Sequence, residues 1–80
     1  MQAAKPALTG AQIRAARAFL HWSVRDLSQH CGVSESAISR AEKVDEVPGM
    51  QGRNLDAVRT AFELHGIEFI NQSGVKLRSH

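Results

Sequence analysis

A single glycine between two short helical patterns constrains this chain more than any other feature. In the stretch SVRDLSQHCGVSESAISRAE, residues 23–42, Leu27 and Cys31 form an apolar pair at helical spacing. Val33, Ala37, Ile38 and Ala41 form a second apolar set directly after Gly32. So short a break forces the second helix to leave the first at a steep angle, which is the arrangement of a helix-turn-helix.

The second of these helices carries the chemistry. Ser34 is placed to cap it, its hydroxyl accepting from a first-turn amide, and Val33 and Ile38 can staple across the cap. That orientation buries the Ile38 side and leaves Glu35, Ser36, Ser39 and Arg40 outside. Short polar side chains that both donate and accept are what a helix needs to read base edges in a major groove. The same face is equally the ordinary solvated side of an amphipathic helix.

The stretch resembles the Cro/lambda-repressor type of helix-turn-helix, the XRE family, through Leu27, Gly32, Val33, Ser34, Ile38 and Glu42 in the family's relative places. The likeness runs upstream to Arg17 and, more weakly, downstream to about Phe62. It implies a lambda-repressor-like bundle of four or so short helices, a mainly α fold, with residues 35–42 as the recognition helix. It also implies an ion pair between Arg17 and Glu42. The chain departs from the family pattern at Val24, where many members carry a phosphate-clamping glutamine, and at Ser28, a site usually held by alanine.

Before this stretch, residues 1–7 show no periodic pattern and read as a flexible N-terminal arm. Thr9 opens the first helix with TGAQ, a capping box in which Gln12 reaches back to the cap while Leu8 staples onto Ile13. Ile13, Ala16, Arg17 and Leu20 share one face, so Arg17 lies on or beside the apolar stripe. A charge held partly out of water is costly unless paired, which gives a chemical reason for a partner as well. Arg14 is expected to face solvent or a phosphate. Ser23 and Asp26 form another box, and Trp22 just before them is expected to staple onto Leu27. Ser23, Val24 and Arg25 then make a helix start whose free amides suit a phosphate.

After Glu42 the pattern fails from Lys43 to Arg53, where Pro48, Gly49 and Gly52 mark a loop. Lys43 and Arg53 are its candidate phosphate contacts, and Asp45 and Glu46 work against that role unless they point away. Asn54 is the expected cap of a further helix with Asp56 in its first turn, and Leu55, Val58, Phe62 and His65 line one side of it. Gly66 suits a left-handed helix end. Residues 8–66 thus form the expected helical DNA-binding domain. Beyond it the period changes to alternation: Ile67, Phe69, Val75 and Leu77 alternate with charged residues around a turn at Asn71 to Gly74, which reads as a C-terminal β-hairpin over 67–80. A lone hairpin is marginal in water. The hairpin is therefore expected to pack on the helices, to pair edge to edge with a second copy in a symmetric dimer with Ile67, Phe69, Val75 and Leu77 at the interface, or to do both.

Composition narrows the function classes. With 80 residues the chain suits one small domain, and a net charge of +2 is too slight to establish nucleic-acid binding alone. One cysteine excludes an internal disulfide, and Cys31 reads as a small apolar filler. Four histidines and that cysteine lack the paired spacings of a metal site. No nucleophile–base pair or phosphate loop is present at usable spacing, so no enzyme and no cofactor are expected. With no apolar run near 20 residues, no membrane partner is expected, and the expected location is the cytoplasm. The leading expectation is a sequence-specific transcriptional regulator bound as a homodimer to a double-stranded DNA operator. Glu35, Ser36, Ser39 and Arg40 would read bases, and Ser23, Val24, Arg25, Lys43 and Arg53 would set register on phosphates. Two alternatives are an antitoxin with a toxin partner and a protein-interaction module that has lost DNA binding.

Overall fold

The computed structural model describes residues 7–70 and 74–78. Four helices precede a two-stranded antiparallel hairpin: α1 Gly10–Leu20, α2 Val24–Cys31, α3 Glu35–Ala41, α4 Gly52–Leu64, β1 Ile67–Ile70 and β2 Gly74–Leu77. No helix among the described residues is long and apolar enough to cross a membrane. The arm expected over residues 1–7 lies, apart from the exposed Ala7, outside the described residues, as does the turn expected over 71–74 apart from Gly74, which opens β2.

Local signals set most of the helix boundaries. Thr9 accepts from the Gln12 amide at 3.1 Å while its own amide donates to Gln12 Oε1 at 3.1 Å, the expected capping box. Ser23 and Asp26 repeat that reciprocity at 2.9 Å in both directions, and Ser34 accepts from the Ala37 amide at 3.2 Å. Gly32 closes α2 at φ +77, a left-handed conformation that costs a glycine little. Ser28 adds a further bond: its hydroxyl donates to the Val33 carbonyl at 2.6 Å, tying α2 across the turn to the approach of α3.

At α4 the expected start is displaced. The helix begins at Gly52 after Gln51, which makes no side-chain cap bond, and the amides of Asn54 and Leu55 both bond back to the Gln51 carbonyl. Asn54 is therefore inside the first turn, and Asp56 falls beyond it. Two backbone bonds to Gln51 outweigh one Asn54 side-chain cap. Asn54→Ala is consequently expected to change stability by less than about 0.5 kcal/mol, whereas Ser34→Ala should cost about 1 kcal/mol. Urea midpoints of the two variants check this, and an equal loss at both sites would restore Asn54 as a cap.

The core joins every element. Leu8, Ile13 and Ala16 meet Leu27, Val33, Ile38 and Ala41 from the middle helices and Leu55, Val58, Ala61 and Phe62 from α4. Ile67 of β1 is fully buried among them, and Phe69 and Val75 pack on the same cluster half-buried. The register pairs Ile67 with Leu77 and Phe69 with Val75, so the hairpin's apolar face looks toward the helices, with β2 against α1 and β1 against α4. Of the four residues read as a dimer interface, Ile67 has no surface to offer. Leu77, at 50% exposure, has the most. The buried Gln12 ties α1 to the hairpin, its Nε2 donating to the Gly74 carbonyl at 3.1 Å.

Candidate functional site

The outward face of α3 is built as its spacing requires. Ile38 and Ala41 are buried, and Glu35, Ser36, Ser39 and Arg40 are exposed within roughly 140° of the helix circumference at 3.6 residues per turn. Among the described residues, the Glu35, Ser39 and Arg40 side chains have no hydrogen-bond or ion-pair partner, while Ser36 Oγ lies 3.5 Å from Ser34 Oγ. The face is thus open to a ligand.

Beside it, the start of α2 brings Ser23 and Arg25 to the surface. The Val24 side chain is half-buried against the core, so its backbone amide is the group it has for a contact. The Ser23 amide and hydroxyl hold the Asp26 carboxylate below its usual range, so Asp26 stays ionised. That charge occupies one side of the helix start. The first-turn amides of Val24 and Arg25 remain outside the helix ladder.

One guanidinium fixes both regions. Arg17 Nε and Nη2 each donate to the Glu42 carboxylate at 2.7 Å, and Nη1 donates to the Trp22 carbonyl at 2.8 Å. Glu42 ends α3 and Trp22 precedes the α2 cap, so Arg17 couples the end of one element to the start of the other. The Glu42 hydrogen bonds raise the guanidinium further above its already high value, against a smaller opposing effect of burial.

Arg14, with its side chain 40% exposed, faces solvent in part, and the segment after α3 also holds its guanidinium. Its Nη1 donates to the carbonyls of Glu42 and Val44, the latter at 3.2 Å, and its Nη2 pairs with Asp45. Asp45 is thereby neutralised. Glu46 is anchored through its backbone, accepting from the Gly10 amide at 2.9 Å. Lys43 and Arg53 are exposed, and their side chains have no hydrogen-bond or ion-pair partner among the described residues.

The remaining polar side chains serve packing. His30 stacks on Trp22 with ring centroids 4.3 Å apart and planes 4° from parallel, while His65 meets both rings edge-on and its Nδ1 bonds the Ala61 carbonyl at 2.8 Å. His30 thus turns away from its neighbour Cys31. Burial pushes the half-buried Cys31 thiol up, away from a reactive thiolate. Among the described residues, no three His, Cys, Asp or Glu side chains gather as a metal site.

Sequence reasoning located the α3 face and the Arg17–Glu42 pair but missed Arg14 and Gln12 as long-range ties and Ser28 as a tie across the turn. An arginine three residues before Arg17, near the same stripe, was the available signal for Arg14. Neither a family model nor a curated protein sequence matches this chain.

Proposed function

We propose that the chain is a sequence-specific double-stranded DNA-binding regulator of the Cro/lambda-repressor-like helix-turn-helix type, with α3 as its recognition helix. The observation that carries this reading is the open polar face of α3 locked beside the α2 start by Arg17. Arg25, Lys43 and Arg53 set register on phosphates, together with the α2 amides. Glu35, Ser36, Ser39 and Arg40 read base edges. Arg40 suits a guanine, since its planar fork matches O6 and N7 together, and Glu35 accepts from a cytosine amine.

A symmetric dimer is part of the proposal, presenting two α3 helices to half-sites about 34 Å apart. Ile70 and Leu77, at 41% and 50% exposure, are the hairpin residues with apolar surface available for it. Occupancy of the operator is the mechanism of regulation.

Selection from random duplexes at low salt is expected to enrich a motif, with affinity falling as salt rises. On the enriched duplex, Arg40→Ala should lose about 1–3 kcal/mol, and on unrelated duplexes much less. Equal weakening on all duplexes would make Arg40 a backbone contact, and the absence of any enriched motif would defeat the reading.

A further inference from the structure

A cavity of about 460 Å³ opens behind the recognition face, between α3, the loop after it and the start of α4. That volume falls within the range of small-molecule sites, roughly 300–1,000 Å³. Ala37, Ala41 and Val44 continue one side of α3 into its wall, and Pro48 and Met50 close it from the loop. Ala41 and Pro48 are buried and the other three half-buried, so these carbons make one side of a lining that is polar over the rest.

Three polar side chains share the lining: Arg40, Gln51 and Asn54. None of them has a side-chain partner among the described residues. No carboxylate lines the cavity, and the two nearest along the chain are already committed, Glu42 to Arg17 and Asp45 to Arg14. The cavity therefore joins an apolar wall to one uncompensated cation. A guanidinium fork fits a carboxylate bidentately, and two side-chain amides stand ready to donate to the same group.

We propose that this cavity binds a small amphipathic carboxylate, with its hydrocarbon body on Ala37, Val44 and Met50 and its head on Arg40. A DNA phosphodiester satisfies the cation but leaves the carbon wall wet, whereas an amphipathic acid covers both. On the DNA-binding reading proposed above, this site is also regulatory. Arg40 cannot hold the carboxylate and a base edge at once, so the ligand competes with the operator.

The test titrates the full-length, isotope-labelled chain with octanoate, octanol and acetate, below micellar concentrations, by amide NMR. Octanoate is expected to give saturable shifts at Ala37, Val44, Met50 and Gln51, with a dissociation constant of about a millimolar or less. Octanol should bind about tenfold more weakly, the effect of losing one charge-assisted contact, and acetate, which lacks the apolar body, more weakly still. Arg40→Gln should weaken octanoate about tenfold and leave octanol unchanged. Ala37→Leu, which fills the wall without touching the charge, should abolish octanoate shifts while the spectrum stays dispersed. Non-saturating or scattered shifts, equal binding of octanol, or unaltered octanoate binding by Arg40→Gln would overturn the site. Octanoate is further expected to raise the dissociation constant of the selected duplex in proportion to its concentration, and an unchanged constant would overturn the competition. If no duplex motif exists, the DNA reading fails on its own, and the octanoate titration still decides the cavity.

Discussion

Gly10→Ala is expected to destabilise the protein by about 3 kcal/mol or more, although alanine is the better helix former by about 1 kcal/mol. A Cβ placed on Gly10 overlaps the carbonyl oxygens of Ala41 and Val44, all of it backbone that no rotamer change can move. The Gly10 amide also donates to the Glu46 carbonyl at 2.9 Å, so the start of α1 is pinned to the segment it would have to leave. For a chain of 80 residues, total stability is about 4–12 kcal/mol, which makes such a loss a large share. Gly52→Ala is the control. Gly52 is likewise the first residue of its helix, yet an added Cβ there meets nothing within 4 Å, so stability should hold or rise by up to about 1 kcal/mol. Urea unfolding of both variants decides the matter, and matching midpoints would rule out the close approach of α1 to the end of α3.

That prediction runs against what the sequence advertises, and the contrast shows what kind of information a sequence carries. Thr9, Ser23, Ser34 and Gly32 act on atoms within four residues of themselves, and each was legible from spacing alone. The Arg17–Glu42 pair was legible for two reasons that agree, a family resemblance and the cost of an unpaired arginine beside an apolar stripe. Gly10, Gln12 and Arg14 look like ordinary residues of a helix's first half because their distinguishing contacts lie on Val44, Gly74 and Asp45, far along the chain. Asn54 misled for a related reason. A good capping side chain competes with backbone geometry, and the bonds made to Gln51 prevailed. The hairpin alternation was legible, but alternation states only that one face is apolar. Burial of Ile67 against the helices, rather than against a second copy, was set by the space α1 and α4 leave between them.

Arg17→Met is expected to separate the structural work of this site from its proposed recognition work. Glu42 is only 9% exposed, and losing Arg17 strips its carboxylate of both charge-assisted hydrogen bonds. Breaking a buried pair from one side costs about 3–5 kcal/mol, and the partial exposure of Arg17 places the expected loss near the lower figure, about 3 kcal/mol. The double variant Arg17→Met, Glu42→Leu should recover most of that loss, because no stranded charge remains and the replacements fill similar volume. A double-mutant cycle in urea gives the coupling energy, expected to exceed about 2 kcal/mol, and a value near zero would show the pair to be inert. Affinity for the selected duplex should not recover with stability. The guanidinium also holds the Trp22 carbonyl at 2.8 Å, one residue before the α2 cap, and neither methionine nor leucine replaces that bond. The start of α2 and the end of α3 are then joined by packing alone, and phosphate and base contacts set by two elements need both in register. A double variant that regains both stability and wild-type affinity would show that the Arg17–Trp22 bond does not position the proposed DNA-binding face.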